Sequence, residues 1–328
     1  MKPCNSYNAV SLGEISPGDE RFKISARDGI SPSLVRSIQC RGLIQPPLVI
    51  HASKLENASG QEGYLIVSGF QRLAALAAME TPPEEVVCGI LEDEKDAAAA
   101  AVMENAFEHA LSPMELLRAV TLLSRFMSVQ EMADDSPALF NTQYSAKFIK
   151  SQLKLAGELS HDALELLGDG RLAVKPAARL LQCPAEIQAP IVEILSQIKA
   201  SASKQMEIIT AYREITARDG LAPNALLESE DFQAVLNTPT QDLARRTNLV
   251  RQYLVQCRYP ALEAARQKAG AALNKLKLPQ IQWQLPDNFE GMDYRVTLTF
   301  KSRDEFNKRL EDLASVKDHQ ALEGLLER

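Results

Sequence analysis

Residues 63–79 read GYLIVSGFQRLAALAAM, and this stretch decides the fold of the first part of the chain. The run Tyr64–Val67 is apolar and rich in β-branched residues, which predicts a buried strand. Gly69 then interrupts the run, and from Leu73 onward apolar residues recur at helical spacing. A strand, a glycine turn and a helix together offer backbone N–H groups to an anion. Arg72 lies in the first turn of that helix, but such a junction is also common in plain structure, so the rest of the chain has to decide between the two.

Length and composition predict a helix-rich protein of two or three domains, because 328 residues exceed a single small core. Hydrophobic residues make up 45% of the chain, charged residues 24% and aromatic residues 5%. No apolar run approaches the roughly 20 residues of a membrane span, and the first residues lack the apolar core of a signal peptide. We therefore expect a cytoplasmic protein without a membrane partner. The five cysteines are dispersed and form no CxxC pair, which favours reduced thiols.

The net charge of −7 does not suggest a nucleic-acid-binding protein, but a small basic face suffices to contact phosphates. The charge is unevenly distributed, since residues 241–328 carry 15 Lys and Arg against 12 Asp and Glu. Much of that positive charge lies in a helical region over 240–278, which Pro260 is expected to split into two helices. The arginines of this region are Arg245, Arg246, Arg251, Arg258 and Arg266.

Residues 1–92 alternate short apolar runs with helical segments, which predicts a compact α/β domain with a small sheet. Residues 93–220 form a series of short helices, including one that opens with a capping box from Ser112 to Glu115. Residues 221–328 comprise the basic helical region, a linker over 279–291 that contains Trp283, and a βα module that begins near Tyr294. The strand edge of that module favours pairing with a second copy of the chain.

Taken in order, these segments resemble the ParB family of chromosome and plasmid partition proteins. Four stretches carry the resemblance over roughly residues 10–195: Arg41–Val49, Tyr64–Ala78, Met103–Glu115 and Lys150–Leu172. The resemblance implies an α+β protein: a small mixed-sheet N-terminal domain of the ParB/sulfiredoxin-like type, an all-α helix-turn-helix middle domain, and a small C-terminal α/β module for dimerisation.

The same resemblance implies an N-terminal pocket that binds CTP with Mg²⁺. Gly69, Gln71 and Arg72 would contact the phosphates. Gln45 and Pro46 would shape the pocket. Glu104 would hold the metal and is the candidate catalytic residue, and Asn105 would position the phosphates beside it. The implied partners are double-stranded DNA, a second copy of the chain and a partition ATPase.

The phosphate-binding box of this chain departs from the family pattern. Two of its three arginine positions hold Gln71 and Ala74, its glutamate position holds Phe70, and a later arginine position holds Glu108. Guanidinium groups are the natural counter-charge of a triphosphate, and each lost charge-assisted hydrogen bond costs roughly 1.5–3 kcal/mol. We therefore predict a degenerate site, which binds CTP weakly or holds a smaller ligand. Phe70 also stands where sulfiredoxins need a cysteine, which argues against thiol chemistry.

The segment Ser145–Leu155 is predicted to be the DNA-contacting helix of a helix-turn-helix. About ten residues separate it from the preceding helix, Val129–Ala133, where a tight turn is usual. Two sets of residues are candidates for contact: lysines for phosphates and polar side chains for base edges. The lysines are Lys147, Lys150 and Lys154, and the polar residues are Gln143, Ser145 and Gln152. Three lysines at this spacing are also typical of a solvated helix face.

We therefore predict a dimeric DNA-binding protein that acts in partition or transcriptional regulation. The alternative from another class is an enzyme, either a nucleotide hydrolase such as a weak CTPase, a kinase or a nuclease, that uses the pocket around Gly69, Arg72, Glu104 and Asn105. A third hypothesis is a scaffold that has lost both activities. The histidines do not cluster in sequence and are interpreted as structural or surface residues.

Overall fold

The computed structural model of the chain describes residues 6–25, 29–56, 62–239, 242–276, 278, 280–286 and 293–326. The chain divides into two compact units. The first comprises residues 1–196 and 200–206, and the second comprises residues 197–199 and 207–328. The predicted α+β class is confirmed, because helices dominate and a five-stranded and a two-stranded sheet accompany them. The predicted domain boundaries at 92/93 and 220/221 stay predictions.

The first unit contains a five-stranded mixed sheet in the order β1-β5-β3-β4-β2. Its strands are β1 (Ser6–Ser11), β2 (Ile15–Ser16), β3 (Leu48–His51), β4 (Tyr64–Ser68) and β5 (Glu85–Leu91). The β1–β5 and β3–β4 pairs are antiparallel, and the β3–β5 and β2–β4 pairs are parallel. The strand predicted from Tyr64–Val67 is therefore the fourth strand of this sheet.

Alternate residues of the central strands enter two different apolar clusters, so the sheet is covered on both faces. Val49 and Ile66 pack with residues of α1 (Pro32–Arg41) and α2 (Phe70–Ala77). Ile50 and Leu65 enter the second cluster, which continues through five helices. These are α3 (Glu94–Glu108), α4 (Pro113–Leu123), α5 (Val129–Asp134), α6 (Ser136–Phe140) and α7 (Ala146–Glu158). The sheet and the helices of the predicted DNA-contacting region thus share one core.

Serine side chains cap three helices of the first unit, and the predicted capping box at Ser112 is confirmed. Ser112 opens α4 with a complete capping box: its hydroxyl accepts from the Glu115 N–H at 3.3 Å, and the Glu115 carboxylate accepts from the Ser112 N–H at 2.8 Å. Ser128 does the same for α5. Ser145 caps α7 by accepting from the Phe148 N–H at 3.2 Å. These caps satisfy N–H groups that otherwise lack intrahelical partners.

Further helices complete the chain. In order they are α8 (His161–Gly168), α9 (Val174–Leu180), α10 (Ala185–Ser196), α11 (Ala202–Asp219), α12 (Ala225–Glu228), α13 (Glu230–Leu236), α14 (Leu243–Arg258), α15 (Pro260–Leu276), α16 (Arg303–Ala314) and α17 (Gln320–Leu326). The predicted split at Pro260 is confirmed, because Pro260 begins α15. No helix among the described residues is both long and apolar enough to cross a membrane.

The second unit shows one difference from the sequence prediction. Trp283, which the sequence places in a linker, lies in β6 (Ile281–Gln284). This strand pairs antiparallel with β7 (Arg295–Leu298), with Trp283 opposite Val296. The linker prediction is wrong here, because Ile281, Trp283 and Leu285 alternate with Gln282 and Gln284, which is the period-2 pattern of a strand. Part of the predicted linker, residues 287–291, lies outside the described residues.

Candidate functional sites

The turn between β4 and α2 requires glycine at position 69. Gly69 has φ +90° and caps α2. A Cβ at this position would lie 2.8 Å from the Pro47 Cβ and 3.1 Å from the Arg72 Nε. Both the left-handed backbone and the close approach of the loop that contains Pro47 exclude a larger residue. The predicted strand–glycine–helix junction is therefore present in the structure.

Arg72 extends from the first turn of α2 to a loop and to a second helix. Its guanidinium donates to the Gln45 carbonyl oxygen at 2.9 Å and to the Pro46 carbonyl oxygen at 3.3 Å. It also contacts the Glu104 Oε1 at 3.1 Å, and its distance to the Ser68 Oγ is 3.5 Å. The residue predicted to bind phosphate is thus engaged by oxygens of the protein itself.

Glu104, on α3, receives two donors on one of its oxygens. Its Oε1 accepts from Arg72 and from the Gln45 Nε2, the latter at 2.6 Å. Its Oε2 is buried and has no hydrogen-bond partner within the described part of the chain. The side chains of Arg72 and Glu104 are 19% and 21% exposed, so solvent screens the pair only in part.

The predicted pocket residues lie together around a cavity of about 540 Å³. Six of them line it, namely Gln45, Gly69, Gln71, Arg72, Glu104 and Asn105. Pro46 contributes a carbonyl to Arg72 instead of lining this cavity. The Asn105 Nδ2 donates to the Ala101 carbonyl within α3 at 2.8 Å, which leaves its second N–H and its carbonyl oxygen available to a ligand.

The charge of this cavity does not suit a triphosphate with its metal ion. Among the described lining residues Arg72 is the one Lys or Arg, whereas Glu104 and Glu108 are both carboxylates. The Arg72 guanidinium already donates to three oxygens of the chain, and the unpartnered Glu104 Oε2 is an acceptor that repels phosphate oxygens. The residues present therefore do not fit CTP with Mg²⁺. The described residues contain no group of three or more His, Cys, Asp and Glu arranged to hold a metal ion.

His109 also lines the cavity, which the sequence prediction missed by treating it as structural. Its Nε2 lies 3.2 Å from the Glu115 Oε2, and its Nδ1 is buried without a partner in the described structure. Burial raises the pKa of the Glu115 carboxyl, but the bonds from Ser112 and His109 outweigh burial and leave that pKa lowered. The capping box revealed Glu115, whereas no local signal linked His109 to it.

The predicted DNA-contacting helix presents its lysines to solvent. Lys147, Lys150 and Lys154 are all exposed, and Lys154 lies 3.6 Å from Glu158 one turn later. The opposite face of α7 buries Ile149 and Leu155. The three lysines thus form one solvated face over a fixed core.

The structure changes the set of residues that are available to contact bases. Gln152 is only 2% exposed and lies on the buried face with Ile149, so its proposed reach to a base edge is wrong. Gln143 is exposed, but its Nε2 contacts the Ser136 Oγ at 3.3 Å. Ser145 is exposed, and its hydroxyl caps α7.

The connection of about ten residues that the sequence placed before α7 contains a further helix, α6. Ser136 is fully buried; its hydroxyl donates to the Ala133 carbonyl at 2.8 Å and accepts from the Tyr144 N–H at 3.0 Å. The Tyr144 ring stacks on Phe148 with centroids 4.7 Å apart. α5 packs against α7 directly, so the insertion leaves the packing of those two helices in place.

When the chain is compared with known proteins, the matches found are all solved structures. No protein-family model matches the chain, and no curated protein matches it either. Thirteen chains of solved structures match. One is the C-terminally truncated chromosome-partitioning protein ParB from Caulobacter crescentus complexed with CTP-γ-S, at 18% identity and a TM-score of 0.25, covering 58% of this chain and 99% of that one.

Two further matches are similar in kind. The same Caulobacter crescentus protein complexed to the centromeric parS site gives 17% identity, a TM-score of 0.27 and coverage of 62% of this chain and 97% of that one. A Pnob8-like ParB-N domain gives 12% identity, a TM-score of 0.37 and coverage of 77% and 97%. The resemblance to ParB proteins found in the sequence thus recurs among solved structures. Because these TM-scores lie below 0.5, we base the functional proposal on the residues of this chain.

Proposed function

We propose that this protein is a dimeric DNA-binding protein of the ParB type that contacts the DNA backbone through α7. The observation that carries the proposal is the pair Lys147 and Lys150, which are exposed near the N-terminus of α7 and have no ion pair within the described residues. Residues 146–157 contain no acidic side chain, although the whole chain carries −7. The N-terminal end of a helix also favours anions, which adds to the attraction of phosphate.

The partition role is proposed from the sequence resemblance over residues 10–195, which also implies a partition ATPase as the protein partner. We propose dimerisation through the second unit, on the ground that no other described strand pairs with β6 or β7, and that Val296 in β7 and Phe300 just after it are exposed. Unpaired strand edges beside exposed apolar residues are the features of a surface that pairs with another chain.

The N-terminal pocket is proposed to act without a bound triphosphate. Arg72 donates hydrogen bonds both to the loop that contains Gln45 and Pro46 and to Glu104 on α3, so its guanidinium N–H groups stabilise the fold. A nucleotide would have to displace these hydrogen bonds and also approach Glu104 and Glu108, both carboxylates. DNA binding by this protein is therefore expected to be independent of CTP.

The test is fluorescence anisotropy of a labelled mixed-sequence duplex titrated with the full chain over a range of salt concentrations. The variant Lys147→Gln/Lys150→Gln removes two charges from α7, and Lys301→Gln/Lys308→Gln removes two exposed charges elsewhere as the matched control. Removal of one phosphate-binding cation reduces the slope of log K against log salt by about 0.9. We expect the α7 variant to lose about 1.8 of slope for each protomer that contacts the duplex, hence about 3.6 for the proposed dimer, and the control to lose none. Equal binding by the two variants would refute the role of α7.

A further inference from the structure

A groove of about 760 Å³ lies on the first unit between α1, α2 and the start of β5, and it shares no lining residue with the cavity around Arg72. Its floor is the margin of the apolar cluster that covers one face of the sheet, since Ile38, Leu76 and Val86 belong to that cluster and are buried. The sides of the groove are also mostly apolar. Their apolar residues are Leu43, Pro46, Met79, Pro82, Pro83 and Val87. Covering this surface would remove apolar area from water, which is favourable.

Two large apolar side chains beside the floor of the groove are exposed to solvent. Val87, on β5, lines the groove and is 53% exposed. Ile44 follows the lining residue Leu43 in the loop that forms one side, and it is 87% exposed, the largest exposed fraction among the described large hydrophobic residues. Exposed large apolar residues beside an apolar groove are typical of a surface that binds another protein.

Both sides of the groove are held in place by the fold. The loop that contains Ile44 is fixed by hydrogen bonds, because Arg72 donates to two of its carbonyls and the Gly89 N–H donates to the Pro47 carbonyl at 2.9 Å. The opposite side contains two consecutive prolines, residues 82 and 83, whose rings fix φ. A surface that is formed before binding loses little conformational entropy when a partner binds.

The rim of the groove is acidic. Glu80 and Glu85 line it and Glu84 is exposed beside them, and none of the three makes an ion pair with another described residue. The described lining includes no Lys or Arg, and residues 73–94 contain none either. Arg41, at the end of α1, is exposed but is not a lining residue. This local field attracts a cationic partner and repels nucleic acid, anionic lipid and acidic protein.

The same charge argues against a second copy of the chain as the occupant. In a twofold dimer the same patch is present on both sides of the interface. Pairing this face with itself would therefore bring the three glutamates of one copy towards those of the other, and like charges across an interface are unfavourable. The groove is better matched by a different protein that carries positive charge.

We propose that this groove is a docking site for a protein partner, which inserts a short segment that combines apolar side chains with Lys or Arg. The apolar side chains of the segment pack against the floor and against Ile44 and Val87, and its cations pair with Glu80 and Glu85 at the rim. Ile44 and Val87 contribute most of the affinity, because apolar burial outweighs exposed ion pairs. The proposal goes beyond the function proposed above and does not depend on DNA binding by α7.

The test uses a phage-displayed library of random 12-residue peptides selected on the immobilised full chain. Clones that also bind the variant Ile44→Ser/Val87→Thr are removed, so the retained clones depend on the groove. These clones should still bind the control Ile30→Ser/Phe107→Ser, which removes two exposed apolar side chains elsewhere in the first unit. Compared with the unselected library, the retained sequences should be enriched in large apolar residues and in Lys and Arg, and depleted of Asp and Glu. Far-UV circular dichroism checks that both variants are folded.

The role of the rim is tested with the most frequent retained sequence, synthesised as a labelled peptide. Its affinity is measured by fluorescence anisotropy at several salt concentrations. Glu80→Gln/Glu85→Gln should weaken binding by about threefold at low salt and by less at high salt, because exposed ion pairs are weak and are screened. The matched control, Glu186→Gln/Glu193→Gln, removes two exposed carboxylates from α10 and should leave the affinity unchanged.

Three results overturn the proposal. The first is that no clone distinguishes the unaltered chain from Ile44→Ser/Val87→Thr. The second is that the retained sequences lack Lys and Arg, or that the peptide binds Glu80→Gln/Glu85→Gln as tightly as the control. The third is self-association of the unaltered chain in sedimentation experiments that Ile44→Ser/Val87→Thr removes, which assigns the groove to a second copy. Each of these results leaves DNA binding by α7 to its own test.

Discussion

Replacement of Arg72 by Met tests whether this arginine holds the fold together or is free to bind a ligand. Methionine keeps most of the apolar stem but none of the donors. The substitution leaves the Gln45 and Pro46 carbonyls without their donor, and it leaves Glu104 with one remaining bond, from the Gln45 amide. The change therefore separates a structural role from a ligand-binding role.

The magnitude follows from the exposure of the pair. Breaking a fully buried ion pair by removing one partner costs roughly 3–5 kcal/mol, and a hydrogen bond to a charged group contributes about 1.5–3 kcal/mol. Arg72 and Glu104 are about one-fifth exposed, so the lower part of these ranges applies. We expect Arg72→Met to lower the free energy of unfolding by about 2–3 kcal/mol. Adding Glu104→Gln should recover about 1 kcal/mol, because the uncompensated carboxylate is then gone.

The assay is urea unfolding of the full chain followed by two signals. Trp283 is the one tryptophan of the sequence and lies in the second unit, so its fluorescence is an internal reference, whereas far-UV circular dichroism reports the helices of both units. Arg36→Met, at an exposed position of α1, is the matched control. If the free energy of unfolding of Arg72→Met lies within about 0.5 kcal/mol of that of the control, the structural role is refuted and Arg72 is available to bind phosphate.

Three further predictions concern single positions. Gly69→Ala should destabilise the protein by roughly 2–4 kcal/mol through backbone strain and crowding, whereas Gly157→Ala, a helical site with open space, should stabilise it by about 0.5–1 kcal/mol; denaturant melts that rank the two alike would contradict the geometry. Burial raises the pKa of Cys88 to about 11, so iodoacetamide at pH 8 should modify exposed Cys40 and spare Cys88 by mass spectrometry. The pKa of Glu115 is lowered in the folded state, so the ionised carboxylate stabilises the protein at pH values above the usual pKa of 4.5, and this stabilisation is lost as the pH falls below 4.5. Glu115→Gln should therefore flatten the acid side of a curve of stability against pH, and an unchanged acid side would contradict this role of Glu115.

Local sequence patterns predicted the elements that local physics determines. The β4–α2 junction, the capping box at Ser112 and the break at Pro260 each depend on neighbouring residues alone. The linker prediction at Trp283 was wrong although Ile281–Leu285 alternates between apolar and polar residues; what the local pattern does not specify is the pairing of this strand with β7.

The sequence predicted which residues belong to the candidate site, but it did not predict the hydrogen bonds between them. The motif residues do gather around one cavity, yet the bonds of Arg72 to Gln45 and Glu104 join positions 27 and 32 residues apart in the chain. Gln152 could have been corrected from the sequence itself, because it follows Ile149 by three residues and precedes Leu155 by three, which places all three on one helix face. The pairing of His109 with Glu115 depends on the bend of the chain between α3 and α4, which no periodicity indicates.

The central claim is that this chain binds double-stranded DNA by contacts to the phosphates without the help of a nucleotide. The most direct measurement is the affinity of the unaltered full chain for a labelled mixed-sequence duplex as a function of salt concentration, repeated with CTP and Mg²⁺. We predict that log K falls linearly with log salt, and that the two α7 lysines of one protomer alone give the slope a magnitude of at least about 1.8. The lines measured with and without CTP should be identical. Binding that is absent at low salt, or that occurs only with CTP and Mg²⁺, would contradict the account.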